Sequence, residues 1–348
     1  MGDMEKDFYA NVANMLENAR RHAQQTTNMV MVYTYYEIGR MIVEEQQNGN
    51  ERAEYGRQVL KGLSEYLTGR FGRGFSEDNL GNMRRFYLLY SQDQISETVS
   101  RKLDGESKLP QTASGRKFFL SWSHYLKLMR ISNPDERHFY EIEAARNGWS
   151  LAELNRQTGS SLYERLALSR SKEDVRALAQ EGQVVEKPSD AIKDPYVLEF
   201  LGLKEESTYS EQELETRIID HLQEFLLELG RGFTFVGRQQ RFTFDYEHFW
   251  VDLVFYNRIL RCFVLFDLKL DKLTHQDIGQ MQMYVHYYDR YVKLEDENPT
   301  IGILLCKEKN ATVIELTLPE SEKDQIFASK YETVLPSKEE LRRLLDEC

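Results

Sequence analysis

The chain has 348 residues, of which 41% are hydrophobic and 12% aromatic, and its formal net charge is −12. This composition excludes an intrinsically disordered chain, and the length is enough for two domains of ordinary size. The acidic balance argues against a uniformly basic surface for binding phosphates, but it is compatible with a local group of carboxylates that binds a divalent cation.

The sequence also argues against membrane insertion, secretion and a cysteine-based metal site. No apolar run reaches the roughly 18 residues that a membrane helix requires, and the first residues lack the basic region and apolar core of a secretory signal. Cys262, Cys306 and Cys348 are far apart and form no CxxC pair. We therefore expect a cytoplasmic protein without a membrane partner.

Residues 3 to about 178 are predicted to form successive helices. The clearest lies in NPDERHFYEIEAARNG, where Asn133 is the expected N-cap, Pro134 the first helical residue and Gly148 the residue that ends the helix. Ser150 and Glu153 then form the capping box of the next helix. We assign residues 1–182 to an all-helical N-terminal domain.

A glycine-rich turn and a basic helix within this domain have the outline of a helix-turn-helix DNA reader. The helix is predicted to begin near Ser76, and its face carries Arg84 and Arg85. Two interpretations stay open, since these arginines could contact nucleic acid or simply form the solvated face of an amphipathic helix. The polar stretch from Ser91 to Gly115 is predicted to be a mobile loop.

Residues 183–195 contain two prolines and mixed charges, and we interpret them as a linker to a second domain, residues 196–348. This domain begins with a helix that has Ser210 and Glu213 as its capping box and ends at Gly230. Three alternating runs, FTFVGRQQRFTFD, FWVDLVFYN and RCFVLFDLKL, predict antiparallel strands joined by short turns. A helix from about Thr274 to Leu294 and two strand-like runs, TIGILLCK and ATVIEL, follow.

Charged side chains lie within two of these apolar strands. Asp267 and Lys269 share one strand face because side chains alternate with a period of two. Asp252, on the preceding strand, is expected to share a face with Trp250 and Val254, and cross-strand pairing can bring it beside Asp267. A divalent cation would relieve the repulsion between the two carboxylates, but a salt bridge at a sheet edge would explain the same residues.

These residues and the order of the elements resemble the PD-(D/E)XK nuclease superfamily. The likeness rests on Asp252 in one strand and the DLK triplet, Asp267 to Lys269, in the next. The phrases ERAEYG, FGRGFS, LSWSHYL, FYEIEA, FLLELGRGFTFVGRQ and GILLCK resemble the bacterial YhcG-like family over nearly the whole chain. The resemblance implies an α+β multidomain chain, in which an all-α N-terminal domain precedes a restriction-endonuclease-like α/β domain with a mixed central sheet.

The resemblance also implies a set of site residues. Asp252 and Asp267 match the two acidic positions, which hold Mg²⁺ or Mn²⁺, and Lys269 matches the lysine of the motif. Glu215 is the best match for a further acid on the first helix, ahead of Asp220 and Glu224, although a solvated helix face would also explain it. Val251 stands where the motif has proline, and Asp267 is one carbon shorter than glutamate.

Gln280 and Tyr284 are four residues apart, so they share a helical face and match the QxxxY motif of several nucleases in the superfamily. The expected function is a metal-dependent nuclease that acts on nucleic acid, with DNA favoured over RNA. A homodimer is expected, because cutting two strands needs two active sites. The alternative is a non-catalytic nucleic-acid-binding or protein-interaction platform on a nuclease fold.

Overall fold

The computed structural model describes residues 3–48, 53–91, 117–168, 172–185, 187–203, 209–244, 246–335 and 337–347. The loop expected between Ser91 and Gly115 falls outside these ranges, apart from Ser91 itself. The chain divides into two compact units, Met1–Asn155 with Ala179–Gly182, and Arg156–Leu178 with Gln183–Cys348. No helix in the described ranges is both long and apolar enough to cross a membrane.

The region N-terminal to the sheet is helical, as the sequence predicts. Its helices in the described ranges are α1 (Asp3–Asn48), α2 (Ala53–Phe71), α3 (Glu77–Tyr90), α4 (Trp122–Leu128), α5 (Pro134–Asn147), α6 (Leu151–Gly159), α7 (Leu162–Leu168) and α8 (Lys172–Glu181). The Asn133 side chain caps α5 by accepting hydrogen bonds from the backbone N–H groups of Asp135 and Glu136, and Gly148 ends the helix in a left-handed conformation. Ser150 and Glu153 exchange both bonds of the predicted capping box.

An aromatic core holds the first unit together. The ring of Phe86 on α3 lies 4.9 Å from those of Tyr90, Phe118 and Tyr125, measured between centroids. Helix α1 packs closely on α3 at Gly39, where a Cβ atom would lie 2.1 Å from the carbonyl oxygen of Met83. Only glycine permits this approach of the two backbones.

The second unit is built on a six-stranded mixed sheet. Its strands are β1 (Tyr196–Val197), β2 (Phe233–Phe244), β3 (Glu247–Asn257), β4 (Cys262–Lys272), β5 (Ile301–Glu308) and β6 (Ile326–Glu332), in the spatial order β1-β6-β5-β4-β3-β2. The predicted β2-β3-β4 meander is antiparallel, whereas β4, β5, β6 and β1 pair in parallel. The all-helical region followed by an α/β domain with a mixed sheet confirms the expected fold class.

Helices cover both faces of the sheet. They are α9 (Glu211–Asp220), α10 (Leu222–Leu229), α11 (His275–Tyr291) and α12 (Ala311–Thr317), while α13 (Lys338–Glu347) packs against α7. One apolar cluster joins α9 and α10 to Phe266 and Leu268 of β4. The other cluster joins α11 to Leu265 of β4. Helix α11 lies so close to β5 that a Cβ atom at Gly302 would be 2.5 Å from Met281 Sδ. The alternation predicted for β4 is therefore confirmed.

The structure differs from the sequence prediction in three respects. The helix expected from Ser210 to Gly230 is interrupted at His221, whose backbone leaves the helical region (φ −114°, ψ 35°). The run ATVIEL is helix α12 and not a strand, because the side chain of Asn310 accepts a hydrogen bond from the Val313 N–H and starts a helix. Strands β1 and β6 were not expected, since few alternating apolar residues mark them in the sequence.

Residues within the predicted linker and before it belong to the core of the second unit. Ala191 and Ile192 lie in the cluster under α9 and α10. Arg165 on α7 is fully buried, and its Nη1 atom lies 2.5 Å from Oε1 of the equally buried Glu228 on α10. The division between the two units crosses the chain after Asn155, after Leu178 and after Gly182, and the last crossing lies at the end of the predicted N-terminal domain.

Candidate active site

The candidate site lies where β3 separates from β4. The β3–β4 ladder runs from Asn257–Cys262 to Leu253–Phe266, and one further step places Asp252 opposite Asp267. On the other side of β3, the β2–β3 ladder places Gln239 opposite Asp252, between the pairs Arg238–Leu253 and Gln240–Val251. A row of three polar side chains therefore crosses three neighbouring strands.

A bulge in β2 sets the register of this row. The pairing shifts by one residue between Phe235 and Gly237, and Gln239 has a positive φ of 47°. Without the extra residue, Arg238 would stand opposite Asp252 in place of Gln239. Strand β3 is also irregular here, because Val251 packs with Val254 under α11 and not, as the strict alternation predicted, with Leu253 and Phe255.

Asp252 is held in place from two directions. Its Oδ2 atom accepts a hydrogen bond from the backbone N–H of Leu268 at 2.8 Å, and its Oδ1 atom accepts one from Gln239 Nε2 at 3.0 Å. The same Gln239 nitrogen donates to Glu215 Oε2 at 2.6 Å. The amide of Gln239 therefore ties Glu215 on α9 to Asp252 on β3, and Glu215 is only 5% exposed.

Lys269 connects Asp267 to the start of α11. Its Nζ atom lies 2.9 Å from Asp267 Oδ2 and 3.8 Å from Asp277 Oδ1. Asp277 is itself fixed, because its Oδ2 atom accepts hydrogen bonds from the backbone N–H and the hydroxyl of Thr274, the N-cap of α11. The cap of α11 thus helps to set the position of the lysine on β4.

We call Glu215, Asp252, Asp267 and Lys269 the carboxylate site. The pKa of each of its three acids is raised. Burial raises the pKa of Asp267, which is 3% exposed, and the neighbouring Asp252 raises it further despite the opposing effect of Lys269. Burial likewise raises the pKa of Asp252 and of Glu215. Burial alone would lower the pKa of Lys269, but Asp267 outweighs it and keeps the ammonium charged.

Gln280 and Tyr284 lie on one face of α11, as predicted from their spacing. Gln280 Nε2 donates a hydrogen bond to Tyr284 Oη at 2.5 Å. Burial, together with the negative charge of Asp267, raises the pKa of the Tyr284 hydroxyl to about 12. The effect of Asp267 on Tyr284 indicates that this pair borders the carboxylate site.

The other predicted residues have different surroundings. Asp220 is exposed at the end of α9, and Glu224 Oε2 lies 4.0 Å from His221 Nδ1. Arg84 and Arg85 belong to the first unit, where Arg84 is exposed and Arg85 Nη2 donates a hydrogen bond to the carbonyl of Met129 at 2.8 Å. The fold thus uses Arg85 to join α3 to the end of α4, and a role of either arginine in binding nucleic acid stays a prediction.

The donor set of the carboxylate site fits a hard divalent cation. Its groups are carboxylate oxygens, which Mg²⁺ and Mn²⁺ prefer. The buried Oδ2 atom of Asp267 makes no hydrogen bond, so its contact with Lys269 is an ion pair without hydrogen-bond geometry. No three acidic, histidine or cysteine side chains in the described ranges are grouped closely enough to form a metal site as they stand.

A polar cavity of about 810 Å³ opens beside the carboxylate site. Its wall comprises Ser210, Glu211, Gln212, Glu215, Thr216, Arg238, Gln239, Asp252, Leu270 and Asp271. This volume lies in the range of small-molecule sites and is sufficient for a nucleotide. Glu215 and Asp252 therefore border a space that a substrate can enter from the side of α9.

The fold and the site define a class of protein, the PD-(D/E)XK nuclease-like proteins. Residues 189–346 match the family model described as the YhcG PDDEXK nuclease domain, and residues 11–165 match the DUF1016 N-terminal domain. The chain is 41% identical over 354 residues to the Escherichia coli (strain K12) protein named "Putative nuclease YhcG", an alignment that covers 98% of this chain and 93% of that protein. The chain belongs to the YhcG family.

Two solved structures also resemble part of the chain. A repair endonuclease from Pyrococcus abyssi is 20% identical with a TM-score of 0.27, and the match covers 38% of this chain and 50% of that one. A structure titled as an EndoMS–dsDNA complex is 18% identical with a TM-score of 0.26, and covers 39% and 51% of the two chains. Similarity at this level adds nothing to the assignment.

Proposed function

We propose that the protein is a metal-dependent nuclease that hydrolyses phosphodiester bonds, with DNA favoured as the substrate. The observation that carries the proposal is the arrangement of Asp252, Asp267 and Lys269 at the fork between β3 and β4, beside a cavity of about 810 Å³. Membership of the YhcG family supports the same activity.

The residues of the carboxylate site have distinct tasks in this proposal. Asp252 and Asp267, with Glu215, hold Mg²⁺ or Mn²⁺. The bound cation supplies charge neutralisation at the phosphate and lowers the pKa of a water molecule. Lys269, whose raised pKa keeps it protonated, donates hydrogen bonds to the attacking water or to the phosphate oxygens that gain negative charge.

Residues around the site position these groups. Gln239 fixes the carboxylates of Glu215 and Asp252 through one amide nitrogen. Asp277 draws Lys269 toward the start of α11. Gln280 takes part through its amide, because Nε2 is bonded to Tyr284 and the oxygen is left to accept a hydrogen bond from a water molecule.

Cleavage assays with divalent cations test the proposed activity. Labelled DNA and RNA, single- and double-stranded, are incubated with the wild type, Asp267→Ala and Lys269→Ala while Mg²⁺ or Mn²⁺ is titrated. We expect cation-dependent cleavage, strongest on DNA, that both substitutions abolish. Asp220→Ala is the matched control, because Asp220 is an exposed acid on α9 and its loss should leave cleavage unchanged. Full activity of both site variants would refute the assignment.

A non-catalytic binding platform is the alternative function. The net charge of −12 favours it. Thermal unfolding separates the two functions, because a cation that binds only the folded protein stabilises it by about 2.7 kcal/mol at 100 times its Kd. If neither Mg²⁺ nor Mn²⁺ raises the melting temperature or supports cleavage, the platform is the better assignment.

The proposal includes a homodimer in the bacterial cytoplasm. Tyr33 and Tyr36 of α1 are buried in the core of the first unit and are not available for an interface. Val12, Met15 and Leu16 are a better basis for an interface, because they are exposed and share one face of α1. Sedimentation equilibrium of the wild type and of Met15→Glu tests the dimer, which the substitution should weaken.

A further inference from the structure

The β2–β3 hairpin extends past the carboxylate site as a two-stranded ribbon. The β2–β3 ladder continues through Gln240–Val251 to Phe244–Glu247, whereas the β3–β4 ladder contains only Leu253–Asn257 of β3. Asp252 and Gln239 therefore stand at the base of the ribbon. The faces of the ribbon are therefore the surfaces next to the carboxylates along β2 and β3.

One face of the ribbon is used for packing. Phe242 stacks on Tyr287 of α11 with ring centroids 4.0 Å apart, and on Phe249 across the ribbon at 5.5 Å. Val251 belongs to the same buried cluster. These contacts fix the ribbon against α11 and leave the opposite face available to solvent.

The opposite face, which we call the ribbon face, consists of Arg241, Thr243, His248 and Trp250. The ladder pairs Arg241 with Trp250 and Thr243 with His248, so the four side chains form a compact group. Thr243 Oγ1 and His248 Nδ1 lie 2.9 Å apart, and the rings of His248 and Trp250 are 6.0 Å apart. Within the ribbon, these residues alternate in step with Gln239 and Asp252.

The ribbon face offers an aromatic ring and an unneutralised cation next to the carboxylates. Trp250 is 44% exposed, and it lies two residues, about 6.6 Å along the strand, from Asp252. Arg241 forms no ion pair with a carboxylate in the described ranges, whereas Arg238 lies close enough to Glu215 to oppose the rise in the pKa of that carboxyl. Arg238 also lines the cavity beside the site.

This combination fits one kind of ligand, an unpaired stretch of a nucleic-acid strand. An exposed indole stacks on a base only where the face of that base is free, which is so in single strands and not inside a duplex. An arginine without a carboxylate partner is suited to the phosphates of the same strand. A duplex-reading ribbon would instead need hydrogen-bonding side chains directed at base edges in the major groove.

We infer that the ribbon face binds an unpaired segment of DNA next to the scissile phosphate, with Trp250 stacked on a base and Arg241 against the backbone. The inference rests on the proposed nuclease function, and it narrows the substrate class to DNA with single-stranded regions, such as overhangs or flaps. The protein would thus cleave at or near the point where the paired region ends.

Binding assays without cleavage test the inference. Fluorescence anisotropy of the full chain in EDTA at low salt compares labelled single-stranded DNA, blunt duplex, duplex with an overhang and single-stranded RNA. The variants are Trp250→Ala, Trp250→Phe and Arg241→Gln. Tyr291→Ala and Arg258→Gln are the controls, since Tyr291 is an exposed aromatic residue on α11 and Arg258 an exposed arginine beyond the far end of β3.

We expect wild type to prefer the single-stranded and overhang DNAs. Trp250→Ala should weaken binding to these two by about 5- to 100-fold and leave the blunt duplex unaffected, while Trp250→Phe keeps most of the affinity. Arg241→Gln should weaken binding and lower the salt dependence by the equivalent of about one phosphate contact. Both controls should bind as wild type does.

The outcomes separate this inference from the proposed function. If wild type cleaves DNA with Mg²⁺ but Trp250→Ala binds every DNA normally, the inference is wrong and the nuclease proposal stands. If Trp250→Ala loses the same affinity for blunt duplex as for single-stranded DNA, the inference is wrong and the ribbon face binds a groove of the duplex. Preference for single-stranded RNA would overturn the choice of DNA. If wild type neither cleaves nor binds any of the substrates, both proposals are wrong.

Discussion

Gln239 is the residue on which the geometry of the carboxylate site depends most, and it is not one of the motif residues. Its amide nitrogen donates to both Glu215 and Asp252. Gln239→Ala should lower kcat/KM by about 10- to 100-fold and raise the cation concentration needed for half-maximal activity, because groups that orient metal ligands have effects of this size. A merely structural role would lower stability without changing the cation requirement.

Gln240, the next residue along β2, supplies the control for the Gln239→Ala prediction. Gln240 is exposed, and its side chain donates only to the backbone carbonyl of Arg238, within the described part of the chain. Gln240→Ala should therefore leave both kinetic quantities at wild-type values. If Gln239→Ala and Gln240→Ala have equal effects, the loss of activity comes from a change in the β2–β3 hairpin and not from loss of the Gln239 amide.

The sequence predicts the motif residues better than the residues that support them. Asp267 and Lys269 follow from period-two alternation within one strand, and the structure places their side chains 2.9 Å apart. Gln239 could not be found in this way, because a bulge of one residue decides whether Gln239 or Arg238 stands opposite Asp252. Gly237 within FTFVGRQQRFTF is a local sign of a bulge, but it does not by itself show which residue then stands opposite Asp252.

Among the secondary-structure elements, α10 carries Glu228, which forms a fully buried ion pair with Arg165 of α7. Glu228 accepts hydrogen bonds from Arg165 at 2.5 Å and from the Val197 N–H at 3.0 Å, and all of its side chain is buried. Burial alone would raise the pKa of Glu228, but Arg165, Lys193 and Arg156 outweigh it and lower the pKa to about 2.

This shift predicts how stability depends on pH. Since the pKa of Glu228 falls from 4.5 to about 2 on folding, its contribution is fully present above pH 4.5 and is lost as the pH falls from 4.5 to 2. The shift corresponds to about 3 kcal/mol. Glu228→Gln should therefore destabilise the protein at pH 7 by about this amount and flatten the acid limb of its stability curve.

Urea unfolding of the wild type and Glu228→Gln between pH 2 and 7 measures this effect. Glu224→Gln, on the same helix but only partly buried, should match wild type throughout. Parallel stability curves for wild type and Glu228→Gln would mean that Glu228 does not titrate differently in the folded and unfolded protein.

Local sequence signals predict elements well where caps and alternation agree, and less well where tertiary contacts decide. The capping boxes at Ser210 and Thr274 start α9 and α11 where expected. Strand β6, IFASKYE, is stabilised by its parallel pairing with β5, and its own alternation is too weak to show this. In α12, the cap at Asn310 outweighs the strand preference of Val313 and Ile314.

At the scale of the whole molecule, the charges buried around Glu228 indicate where the second unit begins. Arg156 on α6 and Arg165 on α7 both contact Glu228, and Arg342 of α13 lies 3.3 Å from Glu164 of α7. A fragment that starts at residue 183, where the sequence places the linker, lacks both arginines and leaves Glu228 buried without its main partner.

We therefore propose that the independently folding unit starts near residue 150, before α6. Removing one partner of a buried ion pair typically costs about 3 to 5 kcal/mol, which is a large share of the stability of an ordinary domain. Fragment 183–348 should unfold without a cooperative transition or at a much lower temperature than fragment 150–348. The longer fragment should unfold cooperatively, and Glu228→Gln should have the same effect in it as in the full chain.

Calorimetry and circular dichroism of both fragments decide between the two boundaries. The double variant Arg165→Met, Glu228→Met in fragment 150–348 is the informative control, because it replaces the buried ion pair by apolar side chains and should recover much of the stability lost in Glu228→Gln. If fragment 183–348 unfolds as cooperatively and at the same temperature as fragment 150–348, helices α6 and α7 are not part of the folding unit. The boundary near residue 182 would then be the better one, since the cost of the unpaired Glu228 must have been relieved by water or by protonation.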